Sequence, residues 1–187
     1  MTRFGALALL LLAGAATAEP LARVHTSYYY IDGSSATVLT AQMDQNGPAG
    51  EDGKRQPSKT RWDVQWKYNH DQVGVTCGVR DVMVAVGIAQ NIPRWRGENK
   101  SSGPLATRWK KFSEAVKRHE AVHKDHGMKA AAEIESALQG LKPASNCVDL
   151  DKAANAAGER IIQKYRELDA EYDRRTAHGR KEGVSLL

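Results

Sequence analysis

The stretch Trp109–Leu138, "WKKFSEAVKRHEAVHKDHGMKAAAEIESAL", carries apolar or histidine side chains at Trp109, Phe112, Val116, His119, His123, His126, Ala130, Ile134 and Leu138. Steps of three and four residues keep such positions on one face of a helix. The spacing therefore predicts one long helix, opened by Pro104 and stopped near "GLKP", with that face against a core. Three of the chain's six histidines lie on the stripe.

Outward from this helix, the pattern changes on both sides. After it, a loop holding Cys147 leads to a second helix expected from Asp151 to about Thr176, with a stripe of Ala154, Ala157, Ile161, Tyr165, Leu168 and Tyr172. Before it, "RGENKSSG" reads as a loop, and the period upstream becomes two. Trp62, Val64, Trp66 and Tyr68 alternate with Arg61, Asp63, Gln65 and Lys67, as in a half-buried strand. A turn is expected at "NHDQ". Val73, Val75, Cys77 and Val79, then Val82, Val84, Val86 and Ile88, continue as two or three antiparallel strands ending at "NIPRW". Nearer the start, "HTSYYYIDG" is a β-prone run, "SSATVLTAQMDQNGP" a helix with a Ser cap and a Gly-Pro stop, and "AGEDGKRQPS" a loop. The expected class is α+β, with a small antiparallel sheet packed on the long helix and on a second C-terminal helix.

Residues 1–18, "MTRFGALALLLLAGAATA", place an Arg before a short apolar run and small residues before Glu19. This is the pattern of a cleaved secretory signal, and it leaves 19–187 as one domain in a periplasmic or extracellular setting. No later segment has the roughly 20 apolar residues of a membrane span. In such a compartment the two cysteines, Cys77 and Cys147, are expected to pair as a structural disulfide. A balance of 27 Lys and Arg against 22 Asp and Glu is mildly basic. Without a dense basic stripe interleaved with aromatics, it does not point to nucleic acid. The oligomeric state is not legible.

His119, Glu120 and His123 form H-E-x-x-H. Four residues make slightly more than one helical turn, so the two imidazoles stack on one face and can converge on one ion. Neutral imidazole suits Zn²⁺, which in catalytic sites takes three protein ligands and leaves the fourth position to water. Glu120 is rotated about 100° from His119, within reach of that water as its base. The competing reading is a chance pair of satisfied or solvated histidines. Against it stand the predicted helix, the interrupted apolar stripe and the export signal, because buried polar groups must be satisfied.

His126 shares the face, but one helix does not readily present His119, His123 and His126 to one ion, so it is expected at the rim of the site. A third ligand must come from elsewhere. His25, His70 and His178 are available, as are Glu133, Glu159, Glu167 and Asp173. The segment "YDRRTAHG" ends the second helix with His178. There the imidazole is equally well read as a solvated cap favoured by the helix dipole.

The combination of "YYYIDG", "TRWDVQWKY", a Cys after the second strand, "IPRW", "W..F" before "HE..H", a second Cys and "YD..T.HG...G" resembles the bacterial family called domain of unknown function 922, over roughly Ser27 to Gly183. That family is described as predicted secreted zinc-dependent proteases. The resemblance implies a zincin-like peptidase domain with His119 and His123 as zinc ligands and Glu120 as base. It also favours His178 as the third ligand. Tyr172 or His126 would then steady the oxyanion, and a peptide or protein would be the substrate.

Two other functions fit the same residues. One is a non-catalytic envelope binding module with a structural zinc, the other a zinc amidase acting on cell-wall peptides. Trp62, Trp66 and Tyr68 read as core, Asn99-Lys100-Ser101 as a sequon, and "KYRELDAEYDRR" as a solvated helix face with i,i+4 pairs.

Overall fold

The structure is a computed structural model and describes residues 20–50 and 53–187. The expected leader over residues 1–18 lies outside the described residues. Strand β1 (Leu21–Ile31) is followed by α1 (Ala36–Asn46), then by the long hairpin β2 (Lys59–Val73) and β3 (Thr76–Trp95). Helices α2 (Pro104–Gln139) and α3 (Cys147–Thr176) complete the fold, with a 3-10 turn at Arg180–Glu182 behind them. The class is α+β, built on one three-stranded sheet in the order β1-β3-β2.

The sheet is mixed, which corrects the expectation of an antiparallel one. β2 and β3 pair antiparallel, but β1 runs parallel to β3 from Leu21↔Ala85 to Ile31↔Trp95. Alternation along a strand fixes which side chains face the core and carries no information on the direction of its neighbour.

The hairpin turn is also later than expected. It falls at Gly74, where φ is 62°, a conformation glycine adopts without a Cβ penalty. Within β3 the inward residues shift from Cys77 to Val84, Val86 and Ile88, that is, from odd to even positions. Asp81, at φ 53°, and a register shift between Lys67 and Asn69 lie at that change, as a β-bulge requires. What reads as separate strands is therefore one bent strand.

The helices start and stop for local reasons. Ser35 caps α1 by accepting a hydrogen bond from the Val38 amide. Pro104 opens α2, as its spacing predicts. Helix α3 begins at Cys147, before the expected Asp151, because the Asn146 side chain caps it by accepting from the Asp149 amide at 2.9 Å. Its buried face uses Leu150, Ala154, Ala157, Ile162, Tyr165 and Tyr172, while Leu168 is exposed.

Two apolar clusters flank the middle of α2. One joins Ile31, Leu39, Trp95, Trp109, Phe112 and Val116. The other joins Val64, Val84, Val86, Ile88, Ala130, Ile134 and Leu138 with Ala154 and Ile162 of α3. The stretch from His119 to Gly127 thus lies between two packed regions that hold it on both sides. Gly127 lets α2 approach the sheet closely, since a Cβ there would sit 2.7 Å from Cγ of Trp62.

Cys77 and Cys147 form a disulfide with Cα atoms 5.0 Å apart, tying β3 to the start of α3. Reciprocal backbone bonds between Cys77 and Ala144 reinforce that junction. Among the described residues, no helix is long and apolar enough to cross a membrane.

Candidate metal centre

Helix α2 presents His119, Glu120 and His123, exposed by only 4%, 2% and 7%. Helix α3 faces them with carboxylates at the same four-residue spacing, Asp169 and Asp173. The Nε2 atoms of His119 and His123 are 3.3 Å apart. Oδ1 of Asp173 lies 3.1 Å from the first and 3.2 Å from the second. Three donor atoms from two helices therefore form a nearly equilateral triangle.

The other side of each imidazole is also held by a carboxylate. Nδ1 of His123 donates to Asp169 Oδ1 at 2.8 Å, and Nδ1 of His119 lies 3.3 Å from Glu182 Oε2. Imidazoles that donate from Nδ1 to these carboxylates offer their Nε2 lone pairs to a metal ion beside the Asp173 oxygen, whereas without an ion an Nε2–H donates to Asp173. Three electron-rich atoms in a buried place need a cation among them. The same carboxylates also favour a proton on His123. Burial works to lower its pKa, but hydrogen bonds and attraction from Asp169 and Asp173 outweigh burial and raise it to about 10. Burial likewise works to raise Asp173, yet the bonds from His119 and His123 hold it far below the usual carboxylate range. Asp169 is held low in the same way, against burial, by His123, His126 and the indole of Trp62.

A divalent ion fits this donor set. Tetrahedral zinc with bonds of about 2.0–2.1 Å separates its ligand atoms by about 3.3–3.4 Å, close to the edges of the triangle. Carboxylates on the distal ring nitrogens are the usual outer support of metal-binding histidines, because they fix the tautomer and raise ligand basicity. Among the described residues, His119, His123 and Asp173 are grouped closely enough to share an ion, with all ligand atoms within 4.8 Å of one another. His70, Cys77 and Cys147 form a second group within the same distance, but the disulfide takes both sulfurs out of ligand chemistry.

Glu120 does not join the triangle. Its carboxylate is gripped from the sheet: Ser58 Oγ donates to Oε1 at 2.6 Å and Thr60 Oγ1 donates to Oε2 at 2.5 Å. Glu120, His119, His123 and Asp173 nonetheless line one cleft of about 890 Å³ between β2 and α3.

The structure distributes the remaining expected residues differently. Asp173, rather than His178, meets the two imidazoles. His178 lines the same cleft beside it, with Nδ1 3.4 Å from the other carboxylate oxygen. Tyr172 is not turned toward the cleft: its ring stacks on His119 at 4.8 Å and its hydroxyl donates to Glu182 at 2.7 Å. That hydroxyl supports the carboxylate behind His119, and no oxyanion role follows from its position. His126 donates from Nδ1 to Asp169 at 2.7 Å, sharing the oxygen that His123 uses. It is a neighbour of the site, as its place on the helix predicts.

The closing "T.HG" has a backbone explanation. Ala177, His178 and Gly179 all have positive φ, which turns the chain sharply at the end of α3. The Thr176 hydroxyl accepts from the Gly179 amide, and a Cβ on Gly179 would come within 3.0 Å of the His119 ring. This turn carries Glu182 back to His119.

Asp169, Glu182, Ser58 and Thr60 touch the candidate site residues, and the motif does not reveal them. The equal spacing of Asp169–Asp173 and His119–His123 is the signal that marks two of the four helix residues as partners.

A model of the family described as "Bacterial protein of unknown function (DUF922)" matches residues 26–179. No curated protein and no solved structure matches the chain.

Proposed function

The chain belongs to the bacterial DUF922 family of proteins of unknown function, and we propose that it is an exported, zinc-dependent peptidase of zincin type. The observation that carries this reading is the triangle of His119 Nε2, His123 Nε2 and Asp173 Oδ1, with Glu120 in the same cleft. Bound zinc supplies Lewis acidity, which polarises a carbonyl and makes water a nucleophile near neutral pH. His119, His123 and Asp173 would hold the ion, and Asp169 and Glu182 would orient the two imidazoles. Glu120, fixed by Ser58 and Thr60, would take the proton from water and return it to the leaving amine. The leader pattern over residues 1–18 and the Cys77–Cys147 disulfide support export.

A structural zinc in a binding module calls for a closed set of four protein ligands. The convergent group among the described residues has three, and it opens onto a cleft, which favours catalysis.

Zinc content and cleavage of a peptide library together test the proposal. Wild type should retain about one zinc per chain after dialysis, with loss in His123→Ala and Asp173→Ala and retention in His178→Ala. Glu120→Gln should keep zinc and lose at least about 100-fold in cleavage rate. Absence of zinc in folded, oxidised wild type, or undiminished cleavage by zinc-loaded Glu120→Gln, would sink it.

A further inference from the structure

Among the described residues, the cleft is lined by four basic side chains, Lys59, Arg61, Arg166 and Arg174, and by four acidic ones, Glu120, Glu167, Asp169 and Asp173. On α3, Arg166, Ala170 and Arg174 follow one another at four-residue steps, so they share a face, and all three line the cleft. Ala170 is small and leaves space between the two guanidiniums. Across the cleft, the start of β2 contributes Lys59 and Arg61.

The acidic side chains in the same cleft are already engaged. Glu120 receives the hydroxyls of Ser58 and Thr60, Asp169 and Asp173 hold imidazoles, and Glu167 accepts from the Gln163 amide at 2.8 Å. Arg174 is paired with Glu171 on the same helix, and Lys59 donates to the Ala49 carbonyl. Arg61 and Arg166 have no hydrogen-bond or ion-pair partner among the described residues. An unpartnered guanidinium beside a cleft is open to a carboxylate, which it can bind through two parallel hydrogen bonds. β2 is also an edge strand of the sheet, so its outer backbone groups are available to an extended chain.

We infer that this cleft selects an extended peptide segment with carboxylate side chains, held between Arg166 and Arg174 on one wall and Lys59 and Arg61 on the other. The presence of a scissile bond in that segment rests on the peptidase reading; the charge selection does not. Increasing salt weakens the selection, because Arg61, Arg166 and Arg174 are exposed.

The test uses the full mature chain with zinc added, and three fluorescent ten-residue peptides: one rich in Asp and Glu, one neutral, and one rich in Lys. Binding is read by anisotropy in the Glu120→Gln background and turnover in wild type. The acidic peptide should bind about tenfold more tightly than the neutral one. Arg166→Glu combined with Arg174→Glu should reverse the order in favour of the Lys-rich peptide, whereas Arg80→Glu, which changes net charge on the distant hairpin, should preserve it.

Binding without regard to peptide charge, or an order unaffected by the double reversal, would overturn the inference. Equal binding of an inorganic polyphosphate would also overturn it, by showing that the groove takes any polyanion. Selective binding with no cleavage of any peptide supports the inference and defeats the peptidase reading. Cleavage without charge preference does the opposite.

Discussion

Glu120 shows how a single side chain depends on three strands. Thr26 of β1 donates to the Gln90 side-chain carbonyl at 3.4 Å, which turns the Gln90 amide toward Thr60 at 3.2 Å. Because Thr60 Oγ1 accepts that bond, its own hydrogen goes to Glu120. Thr60→Val should therefore release one carboxylate oxygen and lower kcat by about 10–100-fold, with KM and zinc content near wild type. Thr60→Ser, which keeps the hydroxyl, should restore most of the rate. Steady-state kinetics with elemental analysis separates this from a folding defect, which would reduce zinc content as well. In the sequence, H-E-x-x-H marks Glu120 clearly. Its hydroxyl donors are invisible there, since they lie 62 and 60 positions away and look only like the entrance to a strand.

At the scale of elements, the site depends on how closely α2 lies against β2. Gly127 provides that closeness, and the opposing Trp62 also donates its indole N–H to Asp169 at 2.7 Å. Gly127→Ala would gain up to about 1 kcal/mol of helix propensity. The added methyl would collide with backbone-proximal atoms of Trp62, a strain of typically about 1–3 kcal/mol. We expect net destabilisation in urea unfolding and weaker zinc retention, as Trp62 and then Asp169 are displaced. Both long helices are readable from their apolar period, because burial of one face imposes it. The parallel placement of β1, the turn at Gly74 and the start of α3 at Cys147 are less readable. They follow from strand partnership and from single capping or turn residues, which leave little periodic trace.

Across the whole molecule, the Cys77–Cys147 bond closes a loop with a sequence separation of 70 and fastens the far end of the hairpin to α3. Removing it by Cys77→Ser with Cys147→Ser should cost about 4 kcal/mol in the chain-entropy model and lower Tm by roughly 10 °C, measured by thermal unfolding of the oxidised parent and the variant. The pairing itself is legible from two cysteines that follow a leader-like pattern over residues 1–18. The sequence by itself determined the α+β class, the long core-facing helix and the placing of His119, Glu120 and His123 on neighbouring faces of it, because helical geometry makes these consequences of spacing alone. Tertiary structure decided that Asp173 completes the triangle while His178 lies beside its other oxygen, that Tyr172 supports Glu182, and that arginines of α3 border the cleft. Those outcomes depend on how α3 docks on α2 and on the left-handed turn after Thr176, which are set by packing between segments distant in the chain.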